Sequence, residues 1–194
     1  SAGNHPKEWG HWWGVLSMAF LHGSWEHIWN NTASFVVLNT LLFYFYSEIA
    51  LKVWGVIFLF SGLFVFFLGV PGSNHVGASG VVYGLAFFVF TAGMMDIKHT
   101  ALLRVSMAVL FLYGSIIWGI FPIEERVSWE GHLGGALAGV LLAFVYRKEL
   151  PERPKTRWEI EEELELLKSE RDASNPVKPN GKTSIVQIYR QLRH

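Results

Sequence analysis

Five apolar runs, each close to the length of a bilayer crossing, limit what this chain can fold into. Residues 25–46, 51–70, 77–95, 101–121 and 130–146 carry at most one charged side chain each. A helix needs about 20 mostly apolar residues to cross a membrane. The separators are short and rich in polar or turn residues: Ser47-Glu48, Pro71-Gly72-Ser73-Asn74, Asp96-Ile97-Lys98 and the stretch 122–128. Short connections make successive helices antiparallel neighbours. Lipid offers the backbone no hydrogen bonds, so segments that cross it must satisfy themselves as helices. The expected fold is all-α, a polytopic transmembrane helical bundle.

Charge is distributed as that fold requires. The tail from Arg147 onward holds 11 of the 16 Lys and Arg and 9 of the 16 Asp and Glu, leaving 5 basic and 7 acidic residues in the first 146. So few charges cannot cover a water-facing surface of that length. The formal net charge is zero, so no nucleic-acid partner is implied. The chain has no cysteine, which excludes disulfides, thiol catalysis and cysteine-ligated metals.

Three regions follow. Residues 1–24 are an interfacial aromatic loop, with His11-Trp12-Trp13 and the nearby Trp25 suited to the membrane boundary and 14–21 too short to cross. Residues 25–146 are the transmembrane core. Residues 147–194 are a tail, with a solvated amphipathic helix over 158–172 (Ile160, Leu164 and Leu167 at helical spacing) and a flexible segment over 175–181. Lys52, Lys98, Arg104, Arg147 and Lys148 flank one side of the five-span arrangement, and Lys7 and Arg126 the other. The positive-inside rule then places the tail in the cytoplasm.

Polar groups inside spans are costly and therefore candidates for chemistry. Gly77-Ala78-Ser79-Gly80 opens the third run, with Tyr83 one turn later. Small residues there serve helix packing equally well, but Ser79 also follows a Gly-rich outer loop, at a helix start whose free N–H groups can hold an oxyanion. His132 leads Gly131-His132-Leu133-Gly134-Gly135, and positions 132, 135 and 139 share one helical stripe. It reads either as a buried histidine satisfied by a carbonyl or as the base that activates a serine. His27 and Asn31, four apart, share one face near the outer end of the first run. A helix start capped by Ser24 explains that cluster too. A metal site of His22, Glu26 and His27 lacks the His-Glu-x-x-His spacing of zinc enzymes. Runs one, three and five point the same way, so a serine, a histidine and two donors meet in one outward layer.

In these features the sequence resembles the rhomboid family of intramembrane serine proteases. The resemblance rests on Gly-x-Ser-Gly at Gly77–Gly80, His-x-x-x-Asn at His27 and Asn31, and His132 ahead of Gly135-x-x-x-Gly139, and it covers about residues 12–146. It implies that Ser79 and His132 form a catalytic dyad without an acidic third member. It further implies that His27, Asn31 and the Ser79 N–H form the oxyanion hole, and that Tyr83 stacks on and orients His132. Gly77, Gly80, Gly135 and Gly139 are its motif and packing glycines, and His22 matches a further family histidine. The family core has a span before the aromatic loop, so the expectation is five spans present and the first family span missing. The family's Trp-Arg motif stands here as Trp13-Gly14.

The implied function is a serine endopeptidase of the cell membrane that cuts transmembrane protein substrates, with the lipid bilayer as its surroundings and no metal or organic cofactor. Two other classes carry different sequence marks. A non-catalytic rhomboid-like protein that binds and sorts membrane clients would lack the dyad. A small transporter would call for paired charges or broken helices at mid-membrane.

Overall fold

The structure is a computed structural model that describes residues 2–123 and 127–174. Among the described residues there are seven α-helices and no strand beyond one isolated antiparallel bridge between Asn4 and His75. The helices are α1 (Gly14–Ser17), α2 (Trp25–Phe45), α3 (Ala50–Leu68), α4 (Ser79–Met95), α5 (Thr100–Tyr113), α6 (Trp129–Val145) and α7 (Arg157–Ser174). Short 3-10 turns cover Trp9–His11, Met18–Phe20 and Gly114–Ile120. The chain divides into two compact units, Ser1–Arg153 and Pro154–His194, the second containing α7. Arg126 and the 175–181 segment lie outside the described residues.

Helix α4 is the centre of the bundle. Its sequence is apolar on all sides, the signature of a helix with no solvent face. Val81, Val82, Leu85, Ala86, Phe88, Val89 and Ala92 are all buried, and α2, α3, α5 and α6 surround it. The outer helices are inverted relative to a water-soluble protein. On α5, Phe111 is 90% exposed and Leu112 62%, as suits side chains that meet lipid tails.

Length separates the helices into two kinds. Ala50–Leu68 and the continuous stretch Thr100–Ile120 are long and apolar enough to cross a membrane by length and composition. Ser79–Met95 and Trp129–Val145 have 17 residues each, a rise of roughly 25 Å against a hydrocarbon core of about 30 Å. The fourth expected run is helical as far as Ile120 but changes type at Gly114, where the α-helix gives way to a tighter 3-10 stretch.

Glycine decides how closely these helices approach. A Cβ on Gly135 would strike the carbonyl oxygen of Gly80, and one on Gly139 would strike that of Gly84. Reciprocally, a Cβ on Gly80 would lie 2.7 Å from the Gly131 oxygen, and one on Gly84 2.9 Å from the Gly135 oxygen. Backbone therefore lies on backbone along the seam between α4 and α6. On the opposite side of α4, Gly93 admits the Ser106 hydroxyl of α5, which donates to the Val89 carbonyl at 3.2 Å.

The amino-terminal residues pack against α1 and α3. Where the family motif has arginine, Gly14 leaves room for residues 3 and 4: a Cβ there would stand 2.7 Å from the Asn4 Cα. Asn4 is fully buried and donates from its amide to the Gly62 carbonyl on α3 at 2.8 Å.

Because the Gly135 contact is with main chain, no side-chain rotation can relieve an added methyl. We expect Gly135→Ala to cost about 1–3 kcal/mol, read as a lower melting temperature in detergent. Gly55→Ala, at a helical position open to its surroundings, should be neutral.

Candidate active site

The site is built where α4 and α6 begin. Gly77, with φ of 122°, adopts a backbone conformation that side-chain-bearing residues rarely reach. It turns the chain so that α4 starts at Ser79, with the Ala78 carbonyl accepting the Val81 and Val82 N–H groups at 3.0 and 3.1 Å. Helix α6 starts at Trp129, and His132 lies in its first turn, its N–H donating to the Ser128 carbonyl at 3.2 Å. The glycine seam brings the two starts together.

The Ser79 Oγ lies 2.7 Å from the His132 Nε2. The other ring nitrogen, Nδ1, lies 2.9 Å from the Gly119 carbonyl oxygen. A carbonyl can only accept, so Nδ1 carries the proton and Nε2 presents a lone pair to the serine hydroxyl. The tautomer is thus the one a general base needs. Tyr83 stacks on the imidazole, with ring centroids 3.9 Å apart and planes inclined by 7°. His132 is 6% exposed while Ser79 is partly accessible, so the imidazole is shielded and the hydroxyl can be reached.

His27 and Asn31 face the backbone just before Ser79. A Cβ on Gly77 would lie 2.8 Å from the His27 Nε2 and 3.5 Å from the Asn31 Nδ2. The Asn31 Nδ2 is buried without a hydrogen-bond partner among the described residues. An unused buried donor is costly, and here it lies beside the helix start whose first N–H groups have no intrahelical acceptor. Ser24 also caps α2, accepting from the His27 N–H at 3.2 Å. That cap uses the backbone and leaves the His27 ring available.

A cavity of about 370 Å³ adjoins this corner, with Phe20, His22, Asn31, Phe35, Phe58 and Val81 in its wall. Its lining is apolar apart from a few polar atoms. One of them, the His22 Nε2, is buried without a partner among the described residues. Burial lowers the basicity of His22 below that of an ordinary imidazole, and neighbouring His27, 5.0 Å away between ring centroids, lowers it further. Among the described residues no three His, Asp or Glu side chains are grouped so as to hold a metal ion.

The structure therefore brings Ser79, His132, Tyr83, Gly77, His27 and Asn31 into one layer, with Gly80, Gly135 and Gly139 in the seam behind it. Sequence reasoning missed the Gly119 carbonyl. No sequence signal marks it, because every residue has a carbonyl and only the path of the 3-10 stretch aims this one. Gly119 itself is constrained, since a Cβ there would run into the Tyr83 hydroxyl.

The chain is similar to known proteins over most of its length. The Rhomboid domain model matches residues 9–149. An uncharacterized protein of Mycobacterium tuberculosis is 34% identical over 151 residues, 73% of this chain and 61% of that protein. One from Mycobacterium leprae is 32% identical over 153 residues, 75% of this chain and 59% of its own length. The chain thus spans about three fifths of the curated relatives it matches. It belongs to the rhomboid family, whose members are embedded in membranes.

If Gly77 holds the corner open, Gly77→Ala must both strain the backbone and displace the His27 ring. We expect it to slow labelling of Ser79 by a fluorophosphonate probe by roughly 100-fold, as the loss of one oxyanion donor would. Gly72→Ala, another positive-φ glycine but one without close neighbours, should label far more nearly like the parent.

Proposed function

We propose that this protein is an intramembrane serine endopeptidase that cleaves transmembrane protein substrates through the Ser79–His132 dyad. The observation that carries the reading is the 2.7 Å approach of the Ser79 Oγ to a His132 Nε2 whose partner nitrogen is committed to the Gly119 carbonyl. A histidine kept only for packing has no need of a partly accessible serine at its one free lone pair.

The reaction runs in two halves. As the Ser79 oxygen attacks the scissile carbonyl carbon, its proton passes to the His132 Nε2. The carbonyl oxygen becomes an oxyanion, held by Asn31, His27 and the Ser79 N–H. The imidazolium then gives its proton to the leaving amine nitrogen, the C–N bond breaks and an acyl-enzyme remains. Water attacks that ester while His132 takes its proton, and collapse releases the carboxylic product and returns the proton to Ser79. None of these steps calls on a metal or organic cofactor.

Substrates of this reading are membrane proteins whose helix is locally unstable and has small residues at the cut. The site faces outward from the cell membrane, with the tail in the cytoplasm. The basic residues Lys52, Lys98, Arg104, Arg147 and Lys148 support that orientation.

Ser79→Ala and His132→Ala should each reduce cleavage of a transmembrane reporter by roughly 10⁴-fold or more, and Ser79→Ala should abolish fluorophosphonate labelling. Asn31→Ala should lower kcat by about 10²–10³-fold. A folded parent chain that neither labels nor cleaves, yet retains membrane clients, would favour the client-binding class instead.

A further inference from the structure

A second serine–histidine contact lies one step along the chain from the first. His75, in the loop between α3 and α4, places its Nδ1 2.6 Å from the Ser128 Oγ and its Nε2 2.7 Å from the Ser73 Oγ. His75 precedes Ser79 by four residues, and Ser128 precedes His132 by four. Both contacts therefore join the same two stretches of chain, the loop and helix start carrying the serine and the helix start carrying the histidine.

The proton positions follow from the outer end of the network. The Ser73 hydroxyl donates to the Val70 carbonyl at 2.5 Å, so its oxygen is left to accept from the His75 Nε2–H. Nδ1 is then unprotonated and accepts from the Ser128 hydroxyl. Burial holds His75 below ordinary imidazole basicity; the Glu130 carboxylate acts against this and His5 reinforces it. The ring is therefore neutral at neutral pH, as the network requires.

Ser128 gives up its usual use to make this contact. A serine at a helix start normally accepts from an N–H of the first turn. Here the Ser128 side chain makes no cap bond; only its carbonyl does, to Gly131 and His132 at 3.1 and 3.2 Å. Its hydroxyl is turned to His75 instead. The His75 main chain is pinned as well, exchanging two 2.9 Å hydrogen bonds with Asn4, which is itself anchored on α3 through Gly62. The imidazole is thus a rigid post to which the start of α6 is tied.

We propose that His75 is a positioning residue for the dyad, and that its hydrogen bond to Ser128 sets the start of α6 so that His132 meets Ser79. The inference rests on the reading of Ser79 and His132 as catalytic. The His75 ring nitrogens meet Ser73 and Ser128 and neither member of the dyad, so its effect on the dyad runs through alignment. A displacement of about 1 Å at reacting groups can cost 10²-fold in rate.

The test uses the full chain in detergent, with a transmembrane reporter and melting temperatures alongside. His75→Ala and Ser128→Ala should each lower kcat by roughly 10- to 100-fold while leaving KM within about twofold, as a role in alignment alone requires. The double variant should be no worse than either single one, since both remove the same contact. The conservative variants separate alignment from stability. Asn has an amide atom where Nδ1 stands and can keep the Ser128 contact; Gln reaches the Nε2 position and keeps only Ser73. His75→Asn should therefore recover most of kcat and His75→Gln should not, even where the two melt together. Asn and Gln variants of equal kcat, or a kcat that simply follows the folded fraction, would overturn the inference. So would parental kcat in Ser128→Ala, with the dyad reading left intact by an inactive Ser79→Ala. Should cleavage survive Ser79→Ala, the dyad reading itself fails, and the role given to His75 falls with it.

Discussion

Close approach of two backbones, α4 on α6, is the contact on which the rest of the molecule depends. Apolar side chains gain little by leaving lipid for one another, so helices in a membrane hold together through surface contact and small residues at their interfaces. Gly80 and Gly84 face Gly135 and Gly139 with carbonyl oxygens where methyl groups would otherwise stand. Once the seam closes in that register, Ser79, the neighbour of Gly80, is carried to His132. The packing contact and the candidate chemistry are thus set by one geometric condition.

The environment also accounts for how the histidine is oriented. In water-soluble serine proteases a buried aspartate holds the imidazole tautomer. The bundle does bury a carboxylate, Glu130 at 3% exposure, but the His132 ring does not use it. Here the Gly119 carbonyl holds the same ring nitrogen at 2.9 Å and brings no net charge. Tyr83 limits rotation of the ring by stacking, again without charge. A neutral carbonyl lends an imidazolium less stabilisation than a carboxylate does, so this arrangement leans more on alignment.

Alignment in turn comes from parts with no chemistry of their own. Gly77 bends the loop so that His27 and Asn31 lie against it. The 3-10 stretch at Gly114–Ile120 brings a carbonyl to the ring. Asn4, far away in sequence, braces both α3 and the loop before Ser79 through its amide and its main chain. The short α4 and α6 place both working ends at helix starts, where backbone N–H groups are still free.

The amino-acid order by itself determined that this chain is a bundle of apolar helices, because runs of that length with so few charges have no other stable state in lipid. It also marked Ser79, His132, His27 and Asn31, since polar groups stand out against such a background. The stripe of α6 was legible as a close-packing face from the spacing of 132, 135 and 139, and the small residues that open α4 were legible as a packing segment. Only the tertiary structure decided which carbonyl holds His132, because backbone groups are identical in every residue and their direction depends on how a turn is folded. It alone decided that Ser128 turns from capping its helix to meeting His75, a choice between two hydrogen bonds of similar strength. And it decided that a glycine at position 14 is filled by residues 3 and 4, since a vacancy in a sequence motif carries no information about which distant segment will occupy the space.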